Sequence, residues 1–251
     1  MRTYGVGGVV TVEVDDAGVA VITMADRQQR NMMSPALTNG LVMAFDEIAE
    51  DAAVKVVLLQ GYDRYFCCGG TKQELIDIQE GRRTFTDFGF YRLLLDCEVP
   101  VICAMQGHAV GAGLAFGCYG DLIVMGEECL YTASFMKYGF TPGFGATYII
   151  PAKLGPLLGS EMLFSARGYH GADLRARGAS PRIVEKARVP TVALELARDL
   201  AEKPRLSLML LKEQLARPVR EALPGVVDRE IAMHARTFPQ AEVRDRIERL
   251  F

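Results

Sequence analysis

The sequence predicts an α/β fold followed by a helical C-terminal part, on three observations. Short apolar runs alternate with helical patterns from residue 9 to about residue 185. From Thr191 onward, just after Pro190, the pattern is helical only, punctuated by Pro204, Pro218 and Pro224. Between them, the apolar run Val99–Ala104 passes through Met105–Gly117, Met-Gln-Gly-His-Ala-Val-Gly-Ala-Gly-Leu-Ala-Phe-Gly, into a further apolar segment. That order reads as a strand, a glycine turn and a helix start.

The elements follow in turn. Val9–Val14 alternates apolar and polar residues, Asp15–Gly18 forms a turn and Val19–Met24 is apolar again, a hairpin pattern. Ser34-Pro35 opens a helix, with Ser as N-cap and Pro at the first helical position. Leu37, Leu41, Phe45 and Ile48 share one face of it. Val54–Leu59 is a buried strand, Tyr62–Gly70 a loop, and Thr71–Gln79 a short helix broken by Glu80-Gly81-Arg82-Arg83. A longer helix is expected over Phe85–Asp96, stopped before Pro100. Beyond the central glycine stretch come a short strand at Asp121–Val124, a turn-rich loop at Ser134–Gly145, and helices near Ala146–Leu154 and from Gly171 to Gly178.

Composition narrows the function classes. With 251 residues, half of them apolar, the chain can bury a sizeable core. A net charge of -3, with no basic stripe, argues against nucleic acid. No apolar run reaches the length of about 18 residues that a membrane span needs, and Met1-Arg-Thr-Tyr-Gly opens no signal-peptide core. The six cysteines, Cys67, Cys68, Cys97, Cys103, Cys118 and Cys129, show no paired CxxC spacing. They read as reduced core residues of a cytoplasmic protein rather than a disulfide framework or a metal site. Cys67 and Cys68 lack a sequence feature that would lower a thiol pKa, so packing is their expected role.

The glycine stretch narrows the chemistry. A helix start leaves backbone N–H groups unpaired and partially positive, and Gly111 and Gly113 let a guest come near. No Lys-Ser/Thr follows the last glycine, so it is no P-loop, and the Gly-x-Gly-x-x-Gly order of dinucleotide sites fails. Two readings stay open: tight strand–helix packing, the more frequent role of such a junction, and a site for an oxygen that becomes negative during reaction, which needs a second donor elsewhere.

Several pieces now fall into one order: Asn31 after the hairpin, Phe66-Cys67-Cys68-Gly69-Gly70, Gln106 to Gly113, Asp121, and Thr141-Pro142-Gly143-Phe144-Gly145. In this the chain resembles the crotonase (enoyl-CoA hydratase/isomerase) superfamily over nearly its whole length. The resemblance implies a spiral of β-β-α turns over residues 1–190 and a helical region, 191–251, for trimerisation and active-site capping. It also implies homotrimers or hexamers, and an acyl thioester carried on a phosphopantetheine arm of coenzyme A or an acyl carrier protein, with no metal or redox cofactor. The oxyanion hole would be the N–H groups of Gly70 and Ala112. Alanine departs from the usual glycine at 112 but keeps the N–H, and such a donor is worth about 3–4 kcal/mol in the transition state.

The two glutamates that handle water in hydratases fall on Ala115 and Phe135. Neither side chain can move a proton, so water addition is not expected. Leu95–Pro100, Ala104–His108, Phe135–Pro142, Lys203–Ser207 and Met233–Phe238 resemble one branch more closely, the decarboxylases of polyketide β-branching. For this branch the resemblance implies loss of CO2 from a 3-methylglutaconyl group, a dienolate held by the oxyanion hole, and protonation by His234 to a 3-methylcrotonyl-type thioester. Two alternatives stay open: a crotonase-type dehydratase or isomerase with a base elsewhere, and a catalytically silent acyl-thioester-binding subunit.

The branch also uses a lysine, in some members with a tyrosine, to hold the departing carboxylate. Glu74 and Ile78 stand at those positions here, so Lys72 is the expected substitute, with Arg82 and Arg83 nearby. His108, Gly111, Phe135 and Tyr138 are expected around the acyl group.

Overall fold

The computed structural model describes residues 2–4, 7–87 and 89–251. Strands β1 (Arg2–Tyr4), β2 (Val10–Val14) and β3 (Val19–Met24) form an antiparallel meander. The Asp15 carboxylate closes its turn by accepting the N–H groups of Ala17 and Val19, both at 3.0 Å. Helix α1 (Pro35–Glu50) starts where Ser34 Oγ accepts the Leu37 N–H at 3.3 Å.

Two turns of a spiral follow. One is β4 (Val56–Gln60), β5 (Tyr65–Cys67) and α2 (Lys72–Gln79). A single helical turn, α3 (Leu93–Asp96), then leads to β6 (Val101–Met105), β7 (His108–Val110) and α4 (Ala112–Cys118). A third pair of strands, β8 (Leu122–Gly126) and β9 (Leu130–Thr132), leads through the 3-10 turn Ser134–Tyr138 to α5 (Ala146–Leu154) and α6 (Pro156–Ser165). Then come β10 (Gly168–His170), α7 (Gly171–Ala176), β11 (Arg182–Val184), α8 (Val189–Ala201), α9 (Arg205–Thr237) and α10 (Ala241–Leu250).

Each turn gives its first strand to a seven-stranded sheet, ordered β1-β2-β3-β4-β6-β8-β11, and its second to a four-stranded sheet, ordered β10-β9-β7-β5. The chain is thus the mixed α/β spiral with a helical C-terminal part that the sequence leads one to expect. No helix among the described residues is long and apolar enough to cross a membrane.

Both faces of the larger sheet are covered, which explains its near-continuous apolar runs. Val57, Leu59, Val101, Cys103 and Met105 face the main core. Val56, Leu58, Ile102 and Ala104 point the other way, onto Val189, Val192, Ala193 and Ala197 of α8. The expected boundary at 190/191 therefore falls just inside a helix that packs on the sheet.

The sequence reading misses several elements. Strands β5, β7 and β9 lie in or beside segments read as loop or turn, because three residues between glycines show no usable periodicity. The single helix expected over Phe85–Asp96 is instead a pair of 3-10 turns, Phe85–Asp87 and Gly89–Arg92, before α3; Phe88 lies outside the described residues. Its buried positions, Phe85, Phe90, Leu94 and Leu95, do not keep a 3.6-residue spacing. Conversely, α9 runs on through Pro218 and Pro224. Each proline costs about 3 kcal/mol in a helix interior, but the buried stripe continues on both sides through Lys212, Ala216, Leu223, Val227 and Glu230.

Lys212 ties α9 to the sheet. Its side chain is buried, with Nζ donating to the carbonyls of Leu94 (2.9 Å) and Val99 (3.0 Å) and pairing with Asp121 at 2.9 Å. Asp121 Oδ2 also accepts the Val101 N–H at 2.8 Å, at the start of β6. Lys212→Ala is expected to lower the unfolding free energy by about 3 kcal/mol or more, since it strands buried acceptors and a carboxylate. Urea unfolding at neutral pH measures this.

Candidate active site

Strands β5 and β7 pair in parallel, Tyr65 opposite His108 and Cys67 opposite Ala109, and the chain turns into a helix after each. After β5, Thr71 and Glu74 form a capping box at the head of α2. Thr71 Oγ1 accepts the Glu74 N–H at 3.2 Å, and Glu74 Oε2 accepts the Thr71 N–H at 2.7 Å. After β7, Gly111 takes a positive φ of 57° and donates its N–H to Thr132 O at 2.8 Å.

The two turns touch. A Cβ on Gly113 would stand 2.1 Å from the Cys67 carbonyl oxygen, so this glycine serves strand–helix packing rather than ligand approach. A Cβ on Gly69 would lie 3.2 Å from Ala112 N. Among the described residues, nothing accepts the N–H of Gly70 or of Ala112, and both residues line one cavity. The structure thus brings the two expected donors together.

The cavity is narrow, with about 60 Å³ of free volume, and it opens to solvent. Its walls are Met33, Leu75, Ile78 and five phenylalanines, Phe85, Phe135, Phe140, Phe144 and Phe238. Its titratable lining side chains, among the described residues, are Glu74 and His234.

His234 enters from α9. Its Nε2 lies 2.8 Å from the Thr141 carbonyl oxygen. A carbonyl only accepts, so Nε2 carries the proton and Nδ1 is the basic nitrogen. Phe85 and Phe238 meet the ring edge-on, with centroids 5.1 and 4.7 Å away. Burial among these rings holds the imidazole down to about 4, against the pull of the Thr141 and Pro142 backbone. A Cβ on Gly143 would come within 2.6 Å of His234 Cε1, so only glycine leaves room for this ring.

One turn before His234 on the same helix face, Glu230 is fully buried. It accepts from Gly145 N (2.7 Å), Thr147 N (2.9 Å) and Thr147 Oγ1 (2.6 Å), tying α9 to the start of α5. Sequence reasoning missed Glu230 and Gly143. The spacing of Glu230 to His234 was visible, but not the loop they grip.

Other expected site residues stand elsewhere. On α2, Glu74, Leu75 and Ile78 face the cavity. Lys72, two positions before Glu74, points to the opposite side and donates to the Glu248 carbonyl at 3.1 Å. Arg82 is paired with Asp77 and Glu80 on the surface. Arg83 lies near the rim, lining one outer cleft with Glu74 and another with Ile78, Phe85 and His234.

His108 is held in β7, where Nδ1 accepts the Leu130 N–H at 2.9 Å, and it does not line the cavity. Tyr138 stacks behind the wall residue Phe140, centroids 5.9 Å apart. Phe135 is in the wall, and Ala115 is buried within α4. Burial pushes the Cys67 thiol up to about 12 and Cys68 to about 11, the reverse of an activated nucleophile.

The depressed His234 pKa makes a stability prediction. Between about 4 and the ordinary 6.5 the unfolded chain binds a proton that the folded chain refuses. The histidine's contribution is therefore full above 6.5 and is lost as pH falls toward 4. The stability difference between wild type and His234→Asn should shift by no more than about 3 kcal/mol over that window. Urea midpoints of both proteins at several pH values measure it.

The family model described as enoyl-CoA hydratase/isomerase matches residues 15–250. The bacillaene synthase decarboxylase PksI of Bacillus subtilis (strain 168) is 47% identical over 240 residues, 96% of each chain. Among solved structures, one from a dehydratase/decarboxylase enzyme couple involved in polyketide β-branching superposes with a TM-score of 0.95. It is 46% identical and covers 97% of this chain and 96% of that one. The ECH2 decarboxylase domain of CurF from Lyngbya majuscula superposes with a TM-score of 0.93 at 38% identity, covering 98% and 100%. With the family model matched over residues 15–250 and a relative 47% identical over 96% of the chain, on this β-β-α spiral, the chain belongs to the enoyl-CoA hydratase/isomerase family, the crotonase superfamily.

Proposed function

We propose that the protein is a carbon–carbon lyase of polyketide β-branching. It removes CO2 from a 3-methylglutaconyl thioester on an acyl carrier protein and releases a 3-methylcrotonyl-type thioester. The observation that supports this reading is the cavity's combination of groups. Two amide donors are kept, while the hydratase glutamate positions hold Ala115 and Phe135. The 47% identical relative is itself a decarboxylase.

The thioester oxygen lies against the N–H groups of Gly70 and Ala112, and the acyl chain runs along the phenylalanine wall. The distal carboxylate then sits in apolar surroundings, which disfavour its concentrated charge more than the dispersed charge of the transition state. As the carbon–carbon bond breaks, the electron pair passes through the conjugated chain to the thioester oxygen, where the amides hold it. His234 is neutral in the empty cavity. A bound carboxylate favours its imidazolium form, so the proton it later gives to the γ carbon enters with the substrate.

Mass spectrometry of 3-methylglutaconyl carrier protein after incubation tests the reaction, with loss of one CO2 expected. Loss of water from the hydroxylated precursor, without loss of CO2, would favour a dehydratase instead. His234→Ala is expected to slow CO2 loss and protonation about 10²–10⁴-fold.

The proposal extends to cytoplasmic residence, to residues 191–251 as the part that caps the site and assembles the oligomer, and to a homotrimer or hexamer. Leu206, Leu210, Leu211 and Leu215 on α9 are each more than half exposed, an apolar surface suited to burial against other copies. Sedimentation velocity should give three or six times the 27.6 kDa chain mass; a monomer would remove this part.

A further inference from the structure

Glu74 is the one cavity-lining carboxyl group that the mechanism above leaves without a task. It is more than nine-tenths buried. Its capping-box contact to Thr71 occupies Oε2, and among the described residues Oε1 accepts no hydrogen bond. The carboxylate stands over Gly70, where an added Cβ would meet Oε2 at 3.5 Å. A thioester oxygen bound at the Gly70 N–H has its carbonyl carbon one bond away and the α carbon two bonds away. Glu74 thus stands on the Gly70 side of the cavity, within reach of the carbon next to a carbonyl bound there, while His234 enters from α9 beside Phe85, Gly143 and Phe238.

We propose that Glu74 is a catalytic residue that moves a proton to and from the α carbon of the bound acyl thioester. This rests on reading the cavity as an acyl-thioester site, but not on the loss of CO2. In the forward sense the α C–H proton passes to Oε1. The C–H electron pair forms the carbon–carbon double bond of the enolate, and the carbonyl π pair moves to the oxygen held by Gly70 and Ala112. In reverse, the carboxylic acid returns its proton to the α carbon and the carbonyl re-forms. After decarboxylation the same reverse step gives the β,γ-unsaturated isomer, in competition with His234 at the γ carbon, and water then reprotonates Glu74. Burial pushes the Glu74 carboxyl above its ordinary range, against the pull of the Thr71 hydrogen bonds and the Arg83 charge.

The test uses the full-length protein and 3-methylbut-3-enoyl pantetheine thioester in D2O. This probe has no carboxylate, and proton NMR follows its C2 position. Wild type is expected to introduce deuterium at C2. Glu74→Gln keeps a capping-box partner for Thr71, so α2 is preserved, checked by circular dichroism, while exchange slows about a hundredfold or more. A wild-type protein that leaves C2 undeuterated overturns the proposal without recourse to any variant. So does a folded Glu74→Gln protein that exchanges at the wild-type rate. Release of CO2 from the 3-methylglutaconyl thioester is read separately. Its absence with C2 exchange retained removes the decarboxylase reading and leaves the role of Glu74 standing.

Discussion

Two backbone amides from separate turns of the spiral, those of Gly70 and Ala112, have no acceptor among the described residues and stand beside one cavity. Here the arrangement follows from the pairing of β5 with β7 and from the seat of Gly113 against the Cys67 carbonyl. Any side chain at Gly113 would push the two turns apart and separate the donors. The rest of the site is built out from that contact.

The C-terminal helix completes what the spiral begins. Lys212 fixes α9 to the strand β6 end of the sheet, and Glu230 fixes it to the start of α5. Between Glu230 and the Thr141 carbonyl, His234 has little freedom of position. A histidine in water would be partly charged near neutrality. Packed against Phe85 and Phe238 it has its pKa held down to about 4. Apolar walls thus shape the chemistry as much as the polar groups do, because they raise the energy of every isolated charge in the cavity.

The departure at Glu74 and Ile78 also takes its meaning from this setting. A cation at either position would neutralise an incoming carboxylate. The cavity instead has an aliphatic wall at Ile78 and the Glu74 carboxyl group beside Gly70. Of the cations expected to substitute, Lys72 is turned away by helix geometry and Arg82 is engaged by surface carboxylates, while Arg83 lies at the rim.

Much was legible in the chain itself. The strand–helix alternation, the Ser34 cap, the two glycine turns that carry Gly70 and Ala112, and the apolar residues Ala115 and Phe135 are all local patterns or spacings, and local patterns survive without coordinates. What tertiary structure alone decided depends on which distant segments meet. Residue 143 must be glycine because His234, from another element, fills the space beside it. Glu230 matters through the amides of Gly145 and Thr147, far away in sequence. Lys72 and Glu74 are near neighbours in the chain, yet a helix turns them to opposite sides, one to the end of α10 and one into the cavity. A sequence determines which groups are available. Their burial, partners and direction come from packing between elements, and so do the pKa values that decide what those groups can do.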